Sequence, residues 1–264
     1  MSNIMMDKIH REYVYLRQIL KNMKRIITEV VAENVNSALN AEKAGADRIE
    51  LCQGLSDGGL TPSPAFTKWC CENLSIGVAV LIRPRPGDFL YSDEEFEIIC
   101  EDVRFCREAG AQAVVVGFLK ADGSVDTEKL RRVVSEAGEM EVVFHRAFDR
   151  SNNWEQALED VISCGCCRIL TSGLHDSALE GKETLRKLIE RAGDRIVILA
   201  GSGVTSANVE ELYKHTGFKE VHFSAKAGVK SKMTFNGSNI KAIAGHNESH
   251  PAEISAVLKI LETL

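Results

Sequence analysis

The feature that most constrains the fold of this chain is an alternation. Short apolar runs, rich in β-branched residues, recur from Ile26 to Ala225, each followed by a polar or glycine-bearing loop and a helical stretch. The runs are "IITEVV" (26–31), "RIELC" (48–52), "VAVLIR" (78–83), "AVVVGF" (113–118), "VVFHR" (142–146), "RILTS" (168–172), "IVILAG" (196–201) and "VHFSA" (221–225). Parallel strands need a long crossover, so strands recurring every roughly 25–35 residues with helices between them are βαβ units. Eight such units predict a single closed (β/α)8 barrel of the TIM type, a fold of about 250 residues. The rival, an open doubly wound sheet, would carry a glycine fingerprint after the first strand. "EVVAENV" has none.

Helix boundaries are legible as well. "NVNSALNAEKAG" closes on Gly45, as a C-terminal glycine cap does, and "SDEEFEIICEDVRFCREAG" opens on Ser92 with acidic residues in its first turn. Ahead of the barrel (25–264), residues 1–24 form an extension in which Ile9, Tyr13, Leu16, Leu20 and Met23 fall at helical spacing. The long irregular segment between strand eight and the last helix, 226–250, lies on the strand-end side and is placed to cover the barrel mouth.

Bulk properties narrow the function classes. A net charge of −6 argues against a nucleic-acid binder. No apolar run approaches the ~20 residues needed to cross a bilayer, so no membrane partner is expected. The 8 cysteines are scattered, with crowding only at Cys70–Cys71 and in "CGCC" (164–167), which reads as a reduced, cytoplasmic chain.

In a barrel, the C-terminal ends of the strands deliver side chains to one mouth. Those ends carry Glu29, Glu50 with Cys52, Arg83 with Arg85, Gly117, His145 with Arg146, Thr171 with Ser172, Gly201–Ser202–Gly203, and His222 with Ser224. Strand alternation puts Glu50 and Cys52 on one face and Ile49 and Leu51 on the other. "FHRAFD" adds Asp149 just beyond strand five. "GSGVT" after strand seven, read as opening a helix through Thr205 and Ser206, offers backbone N–H groups to a phosphate or carboxylate. "IRPRPGDF" sets two guanidinium groups in a proline-stiffened loop suited to an anion.

Taken together, "NAEKAGADRIELCQGLSDGGLTPS", "IRPRPGDFLYSDEE", "FHRAFD", "RILTSG", "SALEG", "AGSGVT" and "HFSAK" resemble the CutC family, named for copper homeostasis. The resemblance runs from about Glu29 to Lys226. It implies a TIM-type barrel and a cytosolic, oligomeric protein linked to copper tolerance, with Cu(I) binding in some members. The family pattern matches Glu29, Glu50, Arg83, Arg85, His145, Arg146, Asp149, Thr171, Ser172, Gly203, His222 and Ser224. One departure is Val31, where some members carry a cysteine that would pair with Cys52.

Two readings follow. In the first, which the resemblance favours as the assignment, the chain handles copper, holding Cu(I) through Cys52 with help from His145, His222 or a methionine. In the second, it is an enzyme acting on a small anionic or phosphorylated substrate. Glu50 and His145 would then be the acid/base pair, and Glu29 and Asp149 further catalytic carboxylates. Arg83, Arg85 and Arg146 would bind the anion, with Thr171, Ser172, Gly201, Ser202, Gly203 and Ser224 lining its cradle.

Overall fold

The computed structural model describes residues 26–235 and 245–264. Eight parallel strands close on themselves, each paired with its sequence neighbours and β8 paired with β1: β1 (Ile27–Ala32), β2 (Arg48–Leu51), β3 (Gly77–Leu81), β4 (Ala113–Val116), β5 (Glu141–Phe144), β6 (Arg168–Thr171), β7 (Val197–Gly201) and β8 (Glu220–Phe223). The closure excludes the open sheet. Helices follow the strands in turn: α1 (Val35–Ala44), α2 (Pro64–Asn73), α3 (Asp93–Glu108), α4 (Thr127–Ala137), α5 (Trp154–Ser163), α6 (Lys182–Ala192), α7 (Val209–Thr216) and α8 (Pro251–Leu261). Among the described residues no helix is long and apolar enough to cross a membrane. The helical spacing of residues 1–24 lies outside the described residues.

The caps explain where the helices begin and end. The Ser92 side chain accepts from the Glu95 N–H while the Glu95 carboxylate accepts from the Ser92 N–H, a reciprocal box that starts α3. Gly45 ends α1 at φ 93°, a left-handed conformation that favours glycine.

Alternation along the strands sorts the core into two layers. Ile49, Leu51, Val80, Val114 and Phe144 pack outward under the helices. Val31, Cys52, Ala79, Leu81, Val115 and Leu199 point inward and form an apolar cluster inside the barrel. A second inward set is ionic. Arg48, only 3% exposed, donates from Nε to Glu29 and from Nη2 to Glu220 at 2.7 Å. Arg168 donates to the same Glu220 carboxylate at 2.8 Å and to Glu141 at 2.6 Å. These charges share the inward parity of Glu50 and line the barrel beneath it.

Beyond β8, β9 (Lys226–Lys230) and β10 (Gly245–Ser249) form an antiparallel hairpin. From the sequence this segment could cover the mouth. Its described residues dock instead beside α1: Ser249 donates to the Val31 carbonyl at 2.7 Å and Asn34 donates to the Asn247 carbonyl at 2.9 Å. Among the described residues of the hairpin, Lys226 lines the mouth cavity.

Removing Arg48 would take one cationic partner from each of two buried carboxylates, leaving Glu29 with His222 and Glu220 with Arg168. Arg48→Met is expected to cost about 3–5 kcal/mol in chemical denaturation. Adding Glu29→Gln to it should cost less than the sum of the two single changes, because the pair is one interacting unit.

Candidate acid/base site in the barrel mouth

The strand ends open into a cavity of about 980 Å³. Glu50, Arg83, His145, Arg146, Asp149, Ser202, Gly203, His222 and Ser224 all line it, as does Val31. Seven strand-end residues named from the sequence do not: Glu29, Cys52, Arg85, Gly117, Thr171, Ser172 and Gly201.

One wall comes from β8, β1 and β2. His222 Nδ1 lies 2.8 Å from Glu29 Oε1, and His222 Nε2 lies 3.8 Å from Glu50 Oε2. Glu29 is buried behind the imidazole with Arg48 on its other oxygen. Burial alone would raise its carboxyl, but the Arg48 cation and the His222 hydrogen bond hold it at about 2. Glu50 has no such hydrogen bond. Burial pushes it up to about 7 against the pull of His222. Burial works against the His222 cation, yet the two carboxylates outweigh it and raise its pKa. The result is a carboxyl raised to about 7 beside an imidazole whose pKa is also raised, backed by a fixed ion pair.

The opposite wall comes from β3 to β5, across the barrel. His145 is buried against Phe89, with ring centroids 4.9 Å apart, and its Nδ1 accepts the Ala147 N–H at 3.1 Å. Burial and the nearby Arg83 cation drive its pKa down to about 3, so this ring stays neutral. The pairing of Glu50 with His145 read from the sequence is therefore corrected: the imidazole beside Glu50 is His222. The ring of His145 also explains Gly117. A Cβ there would sit 2.3 Å from two ring atoms, so only glycine leaves room for it.

The arginines divide. Arg83 carries its guanidinium over Phe89 and donates to the carbonyls of Asp57, Gly59 and Gly87, stapling the loops after β2 and β3. Arg85 turns away from the mouth, donating to Glu95 and to Asp88 at 3.0 Å, so it anchors its own loop and is no part of an anion clamp. Arg146 remains at the mouth, tied to Asp149 at 2.8 Å.

Asp149 is a loop anchor. Its carboxylate accepts from the Thr171 and Ser172 hydroxyls, from the Ser172 and Leu174 N–H groups and from Arg146, which leaves it committed to structure and not to proton transfer. Thr171 and Ser172 are fully buried by the same contacts and offer nothing to an anion. The cradle after β7 is smaller than the sequence implied. Gly201 packs against Leu170 and His222. The helix begins at Val209, not Thr205, and the Thr205 and Ser206 N–H groups are taken by Asn208 and Glu253. Ser202 at φ 85° and Gly203 at φ 69° still turn the chain into the cavity, beside Ser224 and Lys226.

Among the described residues, the donor group that can hold a metal ion is Glu29, Glu50 and His222, with atoms within 4.8 Å of one another. Two carboxylates and an imidazole suit a hard or borderline divalent ion, not Cu(I). Cys52 is outside this group. It is fully buried in the inward apolar layer, where burial and Glu50 push its thiol up. His145 lies on the far wall, so Cys52, His145 and His222 do not form one ligand set. The "CGCC" cysteines are free thiols near the start of β6, away from the mouth.

Sequence reading passed over Arg48, Glu220 and Phe89. The first two share the inward parity of Glu50 and His222, two residues along the same strands, and that was the available signal. Phe89 reaches the mouth by the course of its loop, which has no periodic signature.

The proton affinity of Glu50 can be measured directly. In a protein with 13C-labelled glutamate side chains, one carboxyl should titrate near pH 7, protonated below and ionised above. Its signal should vanish in Glu50→Gln. A pair this close titrates as a unit, so the midpoint belongs to Glu50 and His222 together.

Comparison with known proteins agrees with this architecture. The sequence profile of the CutC family matches residues 26–227. A CutC protein of Vibrio vulnificus (strain YJ016) is 44% identical over 238 residues, covering 89% of this chain and 95% of its own length. The human copper homeostasis protein cutC homolog is 43% identical over 214 residues, covering 81% and 78%. The crystal structure of the CutC protein of Streptococcus agalactiae superposes with a TM-score of 0.72 at 33% identity, covering 75% of this chain and 98% of that one. With its profile matched across the barrel and these relatives aligned over most of their length, the chain belongs to the CutC family.

Proposed function

We propose that this protein is an enzyme that moves a proton on a small anionic metabolite, with Glu50 and His222 as the acid/base pair. The observation that carries the reading is the pairing of two buried groups in the cavity wall, Glu50 Oε2 3.8 Å from His222 Nε2, with burial pushing the carboxyl up to about 7. A base poised near the working pH is what proton transfer needs, and a structural carboxylate would gain nothing from it. Burial raises the Glu50 carboxyl and the two carboxylates raise the His222 imidazole, so the pair can pass a proton between them. Glu29, held ionised by Arg48, fixes the imidazole by its Nδ1 and leaves Nε2 toward Glu50. Arg146, Lys226, Ser202 and Ser224 supply the charge and hydroxyls that would hold an anionic group at the rim.

The copper reading has a narrower footing. It comes to this chain through the family resemblance and through its human and Streptococcus agalactiae relatives, both named for copper homeostasis. Cys52 supplies one buried thiol with Val31 in the same apolar layer, while Cu(I) favours a pair of soft ligands. The eight free cysteines support a reducing, cytosolic setting, and self-association follows from the same family resemblance.

One experiment separates the two. The protein is incubated in deuterated water with a mixture of small phosphorylated and carboxylated metabolites, and deuterium incorporation is followed by NMR. Incorporation into one compound is expected, slowed about 10²–10⁴-fold in Glu50→Gln. No incorporation, together with one tight Cu(I) equivalent that is lost in Cys52→Ser, would overturn the enzyme reading.

A further inference from the structure

His145 has a polar atom that the fold leaves unused. Its ring lines the mouth and is 5% exposed, yet Nε2 has no hydrogen-bond partner among the described residues. Buried polar atoms are nearly always paired, and an exception held in a cavity wall calls for an explanation. The other nitrogen is accounted for: Nδ1 accepts the Ala147 N–H, so the hydrogen of the neutral ring must sit on Nε2. Tautomer and charge state are thus both fixed. The donor is neutral, held in place by Phe89 on its face and admitted by Gly117. It stands on β5, across the barrel from Glu50 on β2 and His222 on β8.

We propose that His145 donates its Nε2–H to a carbonyl oxygen of the substrate, and that the substrate class is an enolisable carbonyl compound bearing an anionic group. The proposal deepens the acid/base reading above and rests on it. The step balances within the site. The Glu50 carboxylate takes a proton from the carbon next to the carbonyl, and the electron pair of that C–H bond becomes the new carbon–carbon double bond. The carbonyl π pair moves onto oxygen, where the His145 N–H meets the growing charge. Reprotonation by the Glu50–His222 pair completes an exchange or an isomerisation, with no oxidant or reductant. A neutral imidazole suits this role, because a donor fixed in a dry wall needs no reorganisation as the charge develops. An imidazolium would instead tend to give its proton away.

The test combines a ligand-free measurement with two probes. In 15N-histidine-labelled protein, His145 should show a protonated Nε2 and an unprotonated Nδ1 throughout the neutral range; an Nδ1–H tautomer or an imidazolium would overturn the proposal. Phosphoglycolohydroxamate, a phosphorylated enediolate mimic, should bind at least about tenfold more tightly than glycerol 3-phosphate, which has no planar oxygen. That advantage should be lost in His145→Phe and kept in His145→Gln, whose amide still donates. If the parent incorporates deuterium but the advantage survives in His145→Phe, the role of His145 falls and the acid/base reading stands. If neither probe binds and no deuterium is incorporated, both fall. Should His145→Phe fail to fold, the tautomer in the unsubstituted protein and the two-probe comparison still decide the matter.

Discussion

The buried pair of Glu29 and Arg48 is the constraint on which the rest of the site depends. A carboxylate this deep is tolerable only because a guanidinium meets it on one oxygen and an imidazole on the other. Arg48 in turn needs Glu220, which needs Arg168, which reaches Glu141, so a chain of alternating charges runs along the inside of the barrel. Each link removes a charge that would otherwise stand unpaired in the interior. At the upper end, the chain delivers His222 to the mouth with its Nδ1 already occupied.

Seen this way, the barrel interior is divided by function. The apolar cluster of Val31, Ala79, Leu81, Val115 and Leu199 packs inside the barrel, and Val31 and Leu81 carry it to the cavity wall. The ionic side fixes one imidazole and leaves Glu50 beside it without a hydrogen bond, so that burial raises its carboxyl. The far wall carries the opposite device. His145 is neutral because Arg83 and burial forbid its cation. Two histidines in one cavity are thus driven in opposite directions by their neighbours, the arrangement that separates a proton-transfer group from a fixed donor. Soft-metal chemistry would need little of this machinery, since a thiolate pair asks for neither arginines nor buried carboxylates.

The barrel was legible because it is periodic. Eight apolar runs at even spacing, together with caps such as Ser92 and Gly45, left little room for another topology. Strand alternation also placed Glu50 and Cys52 on the inner face, as the two core layers require. What sequence could not give was which neighbour each polar side chain meets. Asp149 and Arg85 stand in suggestive positions, but both are spent on their own loops. Glu50 meets the histidine of β8, about 170 residues away in sequence, because β8 closes against β1 beside β2, a consequence of closure that no local pattern encodes. The start of α7 was misplaced for a related reason: Glu253 of α8 takes the Ser206 N–H, a long-range contact that leaves the preceding turn outside the helix.

The most direct test of this account is the charge state of His222. In 15N-histidine-labelled protein its imidazolium should persist above the ordinary 6.5, because Glu50 and Glu29 together outweigh the cost of burial. In Glu29→Gln the hydrogen-bonded carboxylate is gone while Arg48 remains, and the midpoint should fall. A His222 that is neutral throughout the neutral range in the parent, or a midpoint untouched by Glu29→Gln, would contradict the claim that the buried ion pair sets up the acid/base site.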